Sequence, residues 1–280
     1  MQNAIKYIQS QLYGLYPETE IISFCNIIIK KLTGFSRIEI LVNKNTNFSV
    51  EQQHEIENII KKLKKNVPIQ YIFGETEFYG LGFNVNESVL IPRPETEELV
   101  NWIEKENDTN ANVNILDIGT GSGCIAISLK HKFLKAQVDG FDISEMALET
   151  AKTNAKRNKV DVNFMNVDIL NVPNFEKKWD IIVSNPPYVT DFEKESMLPN
   201  VLKYEPHLAL FVPDNDSLFF YRHIARFAQK HLIPNGKLYF EINRDFGNEC
   251  ASLLSEKGFC DIELRKDISG NDRMIKAIAP

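Results

Sequence analysis

Cysteine is scarce: four residues in a chain of 280, Cys25, Cys124, Cys250 and Cys260, with no C-x-x-C pair among them. That scatter excludes a disulfide framework and a cysteine-built zinc site, and it fits a reducing cytoplasm. Excess positive charge is lacking too. The 32 Lys and Arg against 38 Asp and Glu leave a net charge of −6, so no broad basic face for gripping duplex nucleic acid is implied. One local run, Lys61, Lys62, Lys64 and Lys65, reads as the solvated face of a helix. Long apolar runs are missing as well. The stretch 21–29 is interrupted by Ser23 and Asn26 and is too short to span a bilayer. No basic start followed by an apolar core and a small-residue cleavage site marks a secretory signal. Neither an internal repeat nor a low-complexity tract is present. What remains, 43% hydrophobic and 25% charged, suits one full-sized folded domain with room for a smaller one.

Apolar residues recur at helical spacing through about Leu63, as in Ile5, Ile8 and Leu12 and again in Ile56, Ile59, Ile60 and Leu63. We expect a helical domain over residues 1–66. After Pro68, residues 71–89 are rich in Phe, Tyr, Val and Gly and predict a β-hairpin, within a linker spanning 67–90. From 91 to 280 short apolar runs alternate with amphipathic ones. Strands are expected at 113–118, 136–142, 162–166, 180–184, 237–242, 259–265 and 274–278, and helices at 122–133, 144–157, 217–231 and 246–257. Such alternation predicts an α/β fold, a mostly parallel sheet with helices on both faces.

Ile115-Leu116-Asp117-Ile118-Gly119-Thr120-Gly121-Ser122-Gly123 leaves a strand and enters a helix, where cofactors meet α/β sheets. Glycines let the backbone take positive φ and let a ligand lie against the main chain, while the helix start offers free N–H groups. Packing alone could also require them. The G-x-G-x-G spacing differs from the G-x-G-x-x-G of dinucleotide sites and argues against NAD. Asp142 ends the next strand, where a carboxylate can accept from both ribose hydroxyls, or could instead cap the following helix, although Ser144 can do that. Asp168 and Ile169 are candidates for the adenine end.

Asn185-Pro186-Pro187-Tyr188 follows the apolar strand 180–184. Two prolines give up two N–H donors and fix φ, so nearby carbonyls are held in set directions outside a regular ladder. The arrangement suits a planar nitrogen, an amide or an exocyclic amine, which is a poor nucleophile. The Asn185 side-chain oxygen and the Pro186 carbonyl would accept its two hydrogens, and Tyr188 would pack on its flat face. Orientation and preorganisation then supply the rate, with no acid–base dyad or metal. A rigid loop ending a strand is the alternative reading.

With these motifs in place, the chain resembles the release-factor glutamine methyltransferases, the PrmC/HemK family within the class I, Rossmann-like methyltransferase fold. Val67-Pro68-Ile69-Gln70-Tyr71-Ile72-Phe73-Gly74, Leu90-Ile91-Pro92-Arg93-Pro94-Glu95-Thr96-Glu97, Tyr204-Glu205-Pro206 and Asp267-Ile268-Ser269-Gly270-Asn271-Asp272-Arg273 carry the likeness beyond the two sites. The resemblance implies S-adenosylmethionine bound by Gly119, Thr120, Gly121, Ser122, Gly123 and Asp142, and glutamine held by Asn185, Pro186, Pro187 and Tyr188. It implies N5-methylation of the Gly-Gly-Gln glutamine of a peptide chain release factor in the cytoplasm, with the helical domain recognising that partner. Arg93 and Glu95 read either as an interdomain ion pair or as ligand contacts. An N6-adenine DNA methyltransferase shares Asn-Pro-Pro-Tyr but needs a basic, aromatic segment to flip a base, and no direct DNA binding or membrane contact is expected here. A ribosomal-protein glutamine methyltransferase is a nearer alternative, and the 91–96 signature fits the release-factor branch better.

Overall fold

A computed structural model describes residues 1–43, 46–172 and 175–280. They form two compact units, Met1–Phe73 and Gly74–Pro280. The first comprises α1 (Gln2–Leu12), α2 (Glu18–Thr33), α3 (Arg37–Val42), α4 (Val50–Leu63) and α5 (Ile69–Phe73). Apolar positions three and four apart share a helix face, so Ile8 and Leu12, Phe24, Ile28 and Ile29, and Ile56, Ile59, Ile60 and Leu63 meet in one core. Helix α2 stops at Gly34, whose φ of 71° is left-handed. Capping boxes at Ser36 and Ser49 start α3 and α4.

Residues 71–73, expected at the start of a hairpin, are helical. Pro68 presets a helical φ and accepts from the Ile72 amide at 3.0 Å, and Ile69, Ile72 and Phe73 add to the helical core. Gly74, at φ 70°, ends that turn. Only then does the hairpin begin, as β1 (Glu75–Phe78) and β2 (Leu81–Asn84). Tyr79 and Gly80 join them, both at positive φ, in the two-residue turn that matches strand twist.

The rest of the second unit runs α6 (Pro94–Glu106), β3 (Asn114–Ile118), α7 (Cys124–Lys132), β4 (Gln137–Asp142), α8 (Glu145–Arg157), β5 (Asn163–Asn166), β6 (Trp179–Ser184), α9 (Pro199–Tyr204), α10 (Phe219–His231), β7 (Leu232–Glu241), α11 (Gly247–Glu256), β8 (Cys260–Lys266) and β9 (Asp272–Ile278). The strands form one sheet in the order β5-β4-β3-β6-β7-β9-β8, parallel except where β9 pairs with β7 and β8. Helices α6, α7 and α8 bury apolar residues on one face, and α10 and α11 on the other. Fully buried strands read as continuous apolar runs, which is why β3 and β6 were visible in the sequence. Strand β7 starts at Leu232, ahead of the expected 237, because its pairing with β6 slips between Trp179 and Ile181 and absorbs Pro234, Asn235 and Gly236.

The hairpin packs on α8. Buried Asn154 accepts from the Asn84 amide at 2.7 Å and donates to the Asn84 carbonyl at 3.0 Å, as a strand partner would. Its amide also donates to the Ser122 carbonyl at 2.9 Å. Strand order reverses between β3 and β6, so the carboxyl ends of these two strands flank a crevice. Open α/β sheets bind ligands at such a point.

Candidate active site

A cavity of about 340 Å³ occupies that crevice. The turn after β3 forms one wall. Amides of Gly119 and Thr120 both donate to the Phe141 carbonyl at 2.9 Å, tying the turn to β4. Gly119 and Gly121 hold φ of 73° and 55°, and a Cβ added to Gly119 would meet nothing within 4 Å, so this backbone lies open to the cavity. Gly123 differs. Its φ is 79°, and a Cβ there would approach Ile127 Cδ1 at 2.9 Å, Ala151 Cβ at 3.2 Å and Phe164 at 3.3 Å, so this glycine serves close packing of α7 on its neighbours.

Asp142 ends β4 facing the turn. Oδ2 accepts from the Gly121 amide at 2.8 Å and Oδ1 from the Ser144 amide at 2.9 Å. Each oxygen keeps one acceptor site. Ser144 caps α8, its Oγ accepting from the Ala147 amide at 3.2 Å. Burial raises the Asp142 pKa while these amides oppose the shift. Inside β3, Asp117 is fully buried; Oδ2 accepts from Thr120 Oγ1 at 2.6 Å and the Ala126 amide at 3.3 Å. Its Oδ1 and the Ser122 hydroxyl are buried without a partner among the described residues. Burial, with Asp142 nearby, pushes the Asp117 carboxyl up to about 7.

The opposite wall follows β6, whose last residue Ser184 donates its hydroxyl to the Ile118 carbonyl at 2.7 Å. That bond fixes the spacing of the two strand ends. Asn185, Pro186 and Pro187 line the cavity, as do Gly119, Thr120, Gly121, Ser122, Asp142, Asp168 and Ile169. Gly123 and Tyr188 are not among the lining residues. Tyr188 packs against the core cluster under α10, and its hydroxyl donates to Glu241 Oε1 at 3.3 Å. Asp168 turns its oxygens to the Leu170 amide at 2.9 Å and the Asn171 side chain at 2.8 Å, shaping the loop after β5.

Two residues behind Asn185 carried no site assignment in the sequence. Asn185 Nδ2 donates to Thr96 Oγ1 at 3.3 Å, and Thr96 Oγ1 donates to Glu241 Oε2 at 2.6 Å. Thr96 and Glu241 are buried, at 2% and 1% exposure. Burial raises the Glu241 pKa, while the Thr96 and Tyr188 hydroxyls and the Arg273 charge oppose the rise. The available signal was a carboxylate following the apolar run Leu238-Tyr239-Phe240 at the end of a core strand.

Arg93, which also lines the cavity, pairs with buried Glu205 at 2.6 Å, and Glu205 accepts from the Ile91 amide at 3.2 Å. The pair joins two of the sequence landmarks inside one unit. The terminal landmark folds into a turn around Asp267, which accepts from the Ser269 and Asn271 amides and from Arg273 Nε at 3.2 Å. Among the described residues there is no group of three or more His, Cys, Asp or Glu placed to hold a metal ion, and no helix is long and apolar enough to cross a membrane.

Residues 3–74 match the PrmC N-terminal domain family, and residues 95–204 match the Methyltransferase small domain family. Among solved structures, a 16S rRNA N2-guanine methyltransferase of T. thermophilus, in complex with AdoMet and guanosine, superposes with a TM-score of 0.53 at 17% identity, over 74% of this chain and 50% of that one. That likeness concerns the fold. The chain is 50% identical to the release factor glutamine methyltransferase of Flavobacterium psychrophilum, over 97% of this chain and 96% of that one. It is 46% identical to the enzyme of the same name from Bacteroides thetaiotaomicron, over 99% of each chain. With agreement along nearly its whole length, the chain belongs to the release factor glutamine methyltransferase family.

Proposed function

We propose that the chain methylates N5 of the glutamine in the Gly-Gly-Gln motif of a peptide chain release factor, using S-adenosylmethionine. The observation that carries this reading is Asn185-Pro186-Pro187 on one wall of a cavity whose other wall is an open glycine backbone. Those residues fit the cofactor. Gly119 and Gly121 leave room for it, the spare acceptor sites of Asp142 suit ribose hydroxyls, and the Ser122 hydroxyl, on the cavity lining and without a partner among the described residues, suits the polar amino-acid end. Asp168 and Ile169 would meet the adenine. When bound, S-adenosylmethionine supplies a methyl group on a sulfonium that becomes a neutral thioether as the methyl–sulfur bond breaks.

The chain's own residues deal with the amide. Its nitrogen lone pair is delocalised into the carbonyl, so reaction demands a fixed orientation more than a strong base. Asn185 Oδ1 and the Pro186 carbonyl accept the two N–H hydrogens and direct the lone pair along the transfer axis. Tyr188, expected on the flat face of the group, instead lies outside the cavity lining, packed against the core with its hydroxyl on Glu241, where it supports the loop. As the carbon–nitrogen bond forms, positive charge grows on the nitrogen beside two fixed acceptors, which stabilises it. One amide hydrogen then leaves as a proton to water. The unit Met1–Phe73 holds the release factor, since a lone glutamine offers too little surface for specific recognition. We place the reaction in the cytoplasm, with no metal, membrane or DNA taking part.

Purified chain incubated with methyl-labelled S-adenosylmethionine and a release factor, a ribosomal protein or DNA tests this reading. Label should enter the release factor at the Gly-Gly-Gln glutamine. Label in the ribosomal protein or DNA instead, or in none of them, would overturn it.

A further inference from the structure

We propose that Glu241 is a positioning residue for methyl transfer: acting through Thr96, it locks the Asn185 side-chain amide with its nitrogen inward and its oxygen free for the acceptor. This deepens the function proposed above and rests on it.

A threonine hydroxyl has one hydrogen to give and lone pairs to receive with. Thr96 spends its hydrogen on Glu241 Oε2, at 2.6 Å, the short distance of a bond to a carboxylate. Toward Asn185, at 3.3 Å, Thr96 can therefore only accept. An asparagine amide can rotate by 180° and exchange its oxygen for its nitrogen with almost no change of shape. Against a hydroxyl able only to accept, the rotated form would set oxygen against oxygen, so a single orientation survives. Its consequence is functional: Oδ1 is the end left for an incoming amide N–H.

Glu241 can enforce this because it is an acceptor on both sides. Its Oε1 receives the Tyr188 hydroxyl at 3.3 Å, so one carboxylate holds the partner of Asn185 and the last residue of the same loop. Both Thr96 and Glu241 are buried, which leaves water little chance to substitute for either. Glu241 is not among the residues that line the cavity, whereas Thr96 is.

The test compares full-length wild type, Thr96→Ser, Thr96→Val and Glu241→Gln. Each is measured for kcat and KM toward a release factor, for S-adenosylhomocysteine affinity by calorimetry, and for its thermal midpoint. Thr96→Val keeps the shape and loses the hydroxyl, so kcat should fall about 30-fold, the order expected for a misdirected buried hydrogen bond. Thr96→Ser restores the hydroxyl and should stay within about 3-fold of wild type. Glu241→Gln can donate to Thr96 and reverse the relay, and should fall about 10-fold or more in kcat. S-Adenosylhomocysteine affinity should stay at the wild-type value in all three. Unchanged kcat in Thr96→Val, an equal loss in Thr96→Ser, or a loss confined to KM or to S-adenosylhomocysteine binding would overturn the relay. A variant that does not fold or bind S-adenosylhomocysteine counts against it as well, because the contacts would then build the pocket. If wild type itself transfers no methyl group to the release factor, the function proposed above fails and takes the relay with it; if wild type is active and Thr96→Val is too, only the relay fails.

Discussion

Asn185 and Asp142 stand on opposite walls of one cavity, and their chemistry separates in a measurable way. Asn185 has an amide to offer a planar nitrogen, so Asn185→Ala should lower kcat about 100-fold while S-adenosylhomocysteine affinity, read by calorimetry, stays within about 2-fold. Asp142→Ala should do the reverse and weaken that affinity about 10-fold or more, since a carboxylate accepting from hydroxyls forms charge-assisted bonds. Asp117 makes a different prediction. Its pKa is about 7 in the folded chain against 3.8 ordinarily. Between those values the unfolded chain has lost this proton and the folded chain keeps it, so stability falls as pH rises from about 4 to about 7. The difference corresponds to roughly 4 kcal/mol. Asp117→Asn should flatten that stretch of the profile in urea unfolding at pH 4 to 8; parallel profiles would assign the titration elsewhere. The sequence showed Asn185 and Asp142 through local motif and position. It hid Glu241, because Glu241 acts through Thr96, 145 positions away in the chain, and no local pattern encodes that pairing.

Among the elements, the parallel strands and the helices after β3 and β4 were legible because burial on both faces leaves apolar runs and glycine marks the turn. Helix α6 was not. Its start, Arg93-Pro94-Glu95, stood out as a family landmark, and proline at the first helical position is in hindsight the sign that a helix opens there. The hairpin was legible in kind and misplaced at its start, since Tyr71, Ile72 and Phe73 have high strand propensity and core packing overrides it. Docking of β1 and β2 depends on Asn154, which satisfies both backbone groups of Asn84. Asn154→Leu leaves those groups and the Ser122 carbonyl unpaired, and should cost about 3 kcal/mol in chemical denaturation. A cost under about 0.5 kcal/mol would mean that Asn154 contributes little to holding the hairpin and that Arg157 and Asn158 carry the attachment.

At the scale of the molecule, each unit has its own apolar core. A chain beginning at Gly74 should therefore fold and bind S-adenosylhomocysteine with near wild-type affinity. It should lose about 100-fold in kcat/KM toward an intact release factor and far less toward a short Gly-Gly-Gln peptide, because only the former presents a surface to recognise. Equal losses on both would take recognition away from the helical unit.

The residues around Asn185 come from far-apart stretches of chain: Thr96 precedes the sheet, Glu241 ends β7, the fifth strand of that sheet in chain order, and Arg273, whose charge acts on Glu241, lies in β9. During synthesis, then, a chain already long enough to pair β3, β4, β5 and β6 still lacks the carboxylate that orients the amide. Full-rate methyl transfer waits until β7 has been made, so an unfinished chain bearing the complete Asn-Pro-Pro-Tyr motif is a receptacle before it is an efficient catalyst.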